Sequence, residues 1–283
     1  MGKVGEAGFV LSKREFVFLA AMTGANQLVG IDDDASSLSE DELVNEWEKV
    51  RVNLEKKKYI EVELDDSVTI DEDLFELVRA CGFTQKYLRF HGSIDNGIFK
   101  TRSCYILDNI AVQLDDDPSL PGSYILSPYN SMDNLVQSYT ECLEFQEEYK
   151  NDDIMFELSQ ADFDNLIDEI TRDVVGNATE KIQGLGINDE DLKDFLSTLR
   201  AKKIFKTLLL LDVSDEGAAE SKNLSAFQGQ KYLWSFEIPA ESTSQIITIK
   251  TYTNNSIKEK FMEYIYELAG STTIIPNMED GHE

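Results

Sequence analysis

Two stretches of this chain repeat one another from opposite halves. Phe9-Val10-Leu11-Ser12-Lys13-Arg14-Glu15-Phe16 returns as Phe156-Glu157-Leu158-Ser159-Gln160-Ala161-Asp162-Phe163, and Leu19 and Leu166 continue the match. Three further echoes follow in the same order. Ser39 to Leu43 matches Asn188 to Leu192. Leu54, Lys57 and Lys58 match Leu199, Lys202 and Lys203. Asn130-Ser131-Met132 with Val136, Tyr139 and Leu143 matches Asn255-Ser256-Ile257 with Phe261, Tyr264 and Leu268. Echoes kept in order over such lengths point to two halves built on one plan, not to an array of short repeats.

The echoes coincide with helix starts. Ser12 followed three residues later by Glu15, and Ser159 followed by Asp162, are N-cap signatures. Phe16, Leu19 and Ala20 line one face of the first helix, and Phe163, Leu166, Ile167 and Ile170 line its counterpart. Ser39 caps a helix with an apolar stripe at Leu43, Trp47, Val50 and Leu54, and Asn188 caps one bearing Leu192, Phe195, Leu196 and Leu199. Tyr59–Leu64 and Val68–Ile70 form a short hairpin, and Asp71 opens a helix through Leu74, Leu77 and Val78. Strands are expected at 86–91, 98–107, 110–114 and 124–127 in the first half. In the second they are expected at 204–213, 231–238 and 246–252. Their short connections require antiparallel neighbours. Helices opening at Ser131 and Ser256 close the halves.

The expected fold is therefore α+β: internally duplicated helix–helix–antiparallel meander–helix units related by a pseudo-two-fold axis. The chain divides into a flexible N-terminus (1–8), a first half (9–150), a second half (151–270) and a disordered tail (271–283). Ser214 to Ser225, rich in small and charged residues, reads as a mobile loop.

Chemistry-bearing patterns are sparse. His282 lies in the expected tail, leaving His91 as the one imidazole elsewhere, an exposed residue at a strand end. No run of ligands has zinc spacing, and neither Asp32-Asp33-Asp34 nor Asp115-Asp116-Asp117 fits a calcium loop. Phosphate-cradling glycine loops, nucleophile elbows and dinucleotide fingerprints are missing. The expectation is a protein that is not an enzyme, with no catalytic residue, no metal and no cofactor. Cys81, Cys104 and Cys142 suit reduced thiols in a cytoplasm, and the chain has no apolar run of membrane-spanning length. The balance of 54 acidic to 26 basic residues, a net charge of -28, repels nucleic-acid phosphates and favours basic partners. The Lys56-Lys57-Lys58 hairpin region resembles the helix and wing of a winged-helix domain, but the helix before it offers glutamates where a duplex needs cations. Tyr232, Trp234 and Phe236 alternate on one strand face. They either pack beneath a helix or form an exposed platform for another protein; they are the candidate partner-binding residues.

The duplicated plan, with the Leu11-Ser12-x-x-Glu15-Phe16 opening, Leu28-x-Gly30-Ile31 and the Leu54-x-x-Lys57 helix end, resembles the EspG-like proteins of type VII secretion systems, and more closely their counterparts in low-GC Gram-positive bacteria. The resemblance covers roughly residues 9 to 268. It implies a cytosolic, non-enzymatic chaperone that grips a helical secretion substrate of the WXG or LXG kind. The charge leaves a second expectation, an acidic regulatory or nucleic-acid-mimicking protein that occupies a basic site.

Overall fold

The computed structural model describes residues 8–25, 28–32, 37–94, 98–143, 145, 149, 153–174, 176–201, 205–213, 219–238, 246–269 and 274. Residues 1–7, most of 146–153 and most of 271–283 lie outside them. So do Asp33, Asp34, His282 and residues 214–218 of the expected mobile loop. Contacts divide the chain into one unit of Met1–Tyr87, Arg102–Asn134 and Ser271–Glu283, and another of Leu88–Thr101 and Leu135–Gly270.

The first unit opens with β1 (Phe9–Ser12), whose β-prone Phe9-Val10-Leu11 pairs with Tyr124–Leu126. The sequence read this stretch only as the approach to a helix cap, because its pairing partner lies far along the chain. Ser12 then caps α1 (Lys13–Met22): its Oγ accepts from the Glu15 amide at 3.2 Å, and the Glu15 carboxylate accepts from the Ser12 amide at 2.6 Å. Glu15 is buried, and its charge meets Lys57 Nζ at 2.7 Å. Lys57 is the last residue of α2 (Glu40–Lys57), whose Val50 and Leu54 are buried while Trp47 packs against Phe18. The helix stops because Lys58 turns left-handed, with φ of 61°. Lys57 Nζ also donates to the Val10 carbonyl (3.0 Å), and Tyr59 Oη accepts from the Val10 amide (3.2 Å). The polar groups on the outer side of β1 are thereby engaged.

The expected hairpin is present as β2 (Ile60–Val62) and β3 (Val68–Ile70), and Asp71 caps α3 (Glu72–Gly82). Four strands follow: β4 (Lys86–Ile94), β5 (Ile98–Leu107), β6 (Ile110–Asp116) and β7 (Ser123–Pro128), then α4 (Met132–Cys142). Within the first unit the sheet buries Tyr105, whose hydroxyl donates to the Val29 carbonyl at 2.8 Å, and pairs Arg102 with Asp115 at 2.7 Å.

The second unit contains β8 (Met155–Ser159), α5 (Gln160–Arg172), α6 (Asn177–Gln183), α7 (Asp189–Ala201), β9 (Phe205–Val213), β10 (Ala219–Gln228), β11 (Leu233–Ile238), β12 (Ile246–Tyr252) and α8 (Asn254–Ala269). Ser159 caps α5 and Asn188 caps α7, as their spacing predicts. Three elements differ from expectation. Strand β8 was not expected, because its partner β12 lies far along the chain. Residues 219–225 of the expected loop belong to β10, a polar strand that pairs with β9 and β11 on its two sides; ladder bonds outweigh its low β-propensity. Short α6 was not expected, because its first turn depends on a distant side chain: Glu169 accepts from the Ala178 and Thr179 amides and the Thr179 hydroxyl.

Among the described residues the fold is thus α+β, with eight helices, one ten-stranded antiparallel sheet in the order β1-β7-β6-β5-β4-β9-β10-β11-β12-β8, and the separate β2–β3 hairpin. On one face of β11 and β12, Trp234, Phe236, Ile247 and Ile249 meet Leu166 of α5, Ile182 of α6 and Phe195 of α7. On the other face α8 packs against β9 and β12 and buries Ile257, Phe261 and Ile265.

All three cysteines are buried and unbridged. Burial pushes the Cys81 and Cys104 thiols well above the ordinary range, so neither forms the reactive thiolate at neutral pH. In the native protein at pH 7.5, Ellman's reagent should label these two thiols no faster than global unfolding exposes them. Rapid labelling before any loss of structure would contradict their burial.

Candidate functional site

The three sequence-selected aromatics do not form an exposed platform. Tyr232 and Trp234 are fully buried and Phe236 is 6% exposed. Trp234 stands edge-on to Phe195 with centroids 5.0 Å apart, and Phe236 meets Phe163 and Phe227 at 5.3 and 4.8 Å. These rings fill the core beneath α7, because a strand face that meets an amphipathic helix is buried by it.

The helix that covers them supplies two buried carboxylates. Asp194 accepts the Gln230 and Lys231 amides on Oδ1, each at 3.0 Å, and the Trp234 indole N–H on Oδ2 at 2.9 Å. Asp191 accepts from the Tyr232 hydroxyl at 2.9 Å, from Lys231 Nζ at 2.7 Å and from the Asn188 side-chain amide. Gly229 completes this turn by close approach. A Cβ there would lie 2.6 Å from Thr198 Oγ1 and 2.7 Å from Asp194 Oδ2, so only glycine fits. Burial opposes ionisation of Asp191, but hydrogen bonds from Lys231, Tyr232 and Asn188 outweigh it and hold its pKa below the usual carboxylate value.

A different surface of the same unit is open. Successive strand residues point to opposite faces, and the register places Phe205 opposite Phe227, Thr207 opposite Ser225 and Leu209 opposite Asn223. These six side chains are all half-buried, whereas Lys206, Leu208, Leu210, Leu224 and Ala226 on the reverse face are buried. The Phe205 and Phe227 rings stack at 6.0 Å, and Thr207 and Ser225 share a hydrogen bond of 2.9 Å. On β4, the neighbour of β9 in the sheet, exposed His91 lies 5.6 Å from Phe205 and 5.9 Å from Phe99 of β5. Phe99 is 55% exposed, and the His91 Nδ1 atom lies 3.0 Å from Thr101 Oγ1. The result is a band of four rings, Phe99, His91, Phe205 and Phe227, exposed at one end and continuous through Phe236 with the core at the other.

The sequence reading missed this band, although it placed His91 correctly as exposed. Strand β4 runs to Ile94, so His91 lies inside it and not at its end. The signal available was the alternation Phe205-x-Thr207-x-Leu209, but its partner Phe227 lies on β10, of which residues 219–225 read as loop. A cleft of about 370 Å³ between α5 and α6 is lined by Asp162, Asp168, Glu169, Arg172 and Lys181. It is occupied by its own ion pairs, Lys181 with Asp162 and Arg172 with Asp168. Among the described residues no cluster of His, Cys, Asp or Glu is placed to hold a metal ion, and no helix is long and apolar enough to cross a membrane.

Replacing Asp194 by Ala leaves three donors without an acceptor and is expected to cost roughly 3 kcal/mol or more in denaturant unfolding. Trp234→Ala is expected to cost about 3–5 kcal/mol. Because the Asp191 pKa is depressed, its contribution is present above the unfolded value of about 4 and lost as pH falls through the folded value. Asp191→Asn should therefore flatten the fall in stability below about pH 4; an unchanged slope would remove Asp191 from the acid response.

No family model matches the chain, and no curated protein matches it. Among solved structures it is similar to the Mycobacterium tuberculosis type VII secretion system chaperone EspG5, from a structure of that chaperone in complex with a PE25-PPE41 dimer. The TM-score is 0.61 at 8% sequence identity, over 95% of this chain and 98% of that one. The chain is thus similar in fold, along nearly its whole length, to a type VII secretion chaperone.

Proposed function

We propose that this protein is a non-enzymatic cytosolic chaperone or adaptor that holds a helical secreted protein, of the WXG or LXG kind, before export by a type VII secretion system. The observation that carries this reading is the fold likeness to EspG5 over nearly the full length of both chains. The open ring band supports it, since a half-buried aromatic surface beside a complete core suits an apolar helix face. The chemistry is that of a docking surface. Apolar contact at the centre supplies affinity, and the strongly acidic remainder keeps the unloaded protein dispersed.

The same reading extends to the origin of the fold, an internal duplication. From one edge inward the sheet reads β1-β7-β6-β5-β4, and from the other β8-β12-β11-β10-β9. Each series begins with a strand leading into a serine-capped helix. In an experimental structure, superposing residues 9–143 on 156–268 should bring those two helices into register; unrelated positions would refute a duplication.

Co-expression with a helical-hairpin protein encoded in the same locus should yield a complex that survives moderate salt, because its centre is apolar. Phe99→Ala and Phe205→Ala should each weaken it by about tenfold or more, the range of interface aromatics. The rival reading, an acidic mimic of nucleic acid, predicts instead a basic DNA-binding partner released as salt is raised. Recovery of that partner alone would reverse the assignment.

A further inference from the structure

The open ring band carries an arginine, Arg89, that no carboxylate among the described residues pairs with. Arg89 precedes His91 by two residues on β4, so the pleat sets both side chains on the same sheet face, about 7 Å apart along the strand. Arg51, Arg79, Arg102, Arg172 and Arg200 each meet a carboxylate. Among the described residues no hydrogen bond or ion pair engages the Arg89 guanidinium. It is also part-buried, and its chain holds 54 acidic residues against 26 basic ones. Carboxylates are abundant in this chain, yet among the described residues none pairs with this guanidinium.

Guanidinium is a planar fork of donors that matches a carboxylate bidentately and is enriched in interfaces for that reason. We propose that Arg89 is the specificity-determining residue of the ring band, receiving an Asp or Glu side chain from the edge of the partner's apolar helix face. This rests on the function proposed above and names the partner's chemistry at that site. The separation of Arg89 from His91 is little more than the 5.4 Å pitch of a helix. The partner's acid therefore lies three or four residues from the apolar side chain that covers the rings. The acidic field of the wider surface disfavours a generally acidic helix, so selection is by the position of one carboxylate and not by net charge.

The test uses the full-length chain and the helical-hairpin protein recovered with it by co-expression, with affinity measured by titration calorimetry. Arg89→Glu is expected to weaken the complex at least tenfold. Arg89→Met, which keeps the apolar stem, should weaken it less, and both variants should melt like the parent. A reciprocal Glu→Arg or Asp→Arg substitution on the partner's helix should restore binding to Arg89→Glu. If Phe99→Ala weakens the complex while Arg89→Glu binds like the parent, the ring band stands as the docking surface and the role of Arg89 is overturned. If neither variant weakens an existing complex, the band is not the docking surface and this proposal is refuted, though the chaperone reading survives. If the parent chain binds no hairpin protein, the chaperone reading fails and the proposal with it.

Discussion

The second unit is organised around one carboxylate. Asp194 sits inside α7 where a helix meeting a sheet would ordinarily bury an apolar residue, and it gathers two backbone amides from the chain between β10 and β11 and the indole N–H of Trp234 on β11. A buried charge is tolerable only when such donors replace its water, and removing them leaves the desolvation cost uncompensated. The arrangement fixes more than its own energy. It sets the register of the β10–β11 turn, requires a residue without a side chain at Gly229, and orients Trp234 so that Phe195 and Phe156 can close around it. Apolar packing alone would hold α7 on the sheet without specifying where along the strands it rests.

The ring band follows from that placement. With α7 tied to β11 and to the turn that follows β10, the helices cover Trp234, Phe236, Ile247 and Ile249 and leave Phe205 and Phe227 half-buried. An aromatic surface that continues into a core is stiff at its inner end, because Phe227 packs edge-on against Phe236 at 4.8 Å. A rigid ring loses little conformational freedom when a partner covers it, and this is why aromatic anchors recur in interfaces.

The elements whose information is local were legible in the sequence. The caps at Ser12, Asp71, Ser159 and Asn188 lie where the spacing put them, and so do α2, the β2–β3 hairpin and strands β5, β9, β11 and β12. What escaped were elements that exist through distant partners. Strand β1 depends on β7, β8 on β12, α6 on the Glu169 carboxylate, and polar Ser221-Lys222-Asn223 becomes a strand only against β9. The candidate residues show a related limit. Alternation selected Tyr232, Trp234 and Phe236 as sharing a face, but not which part of that face a helix covers. Phe205 and Phe227 share the face and lie beyond the helix.

The sealed outer side of β1 has a consequence for how this chain behaves in crowded solution. Glu15 both closes the first turn of α1 and holds Lys57, and Lys57 with Tyr59 engages the Val10 carbonyl and amide. Helix fraying and exposure of a bare strand edge are therefore one event, not two. An open edge is a template on which another chain can add, the first step of sheet-to-sheet clumping. By wiring this edge to a helix cap, the fold makes the β1 backbone accessible only when the whole corner comes undone.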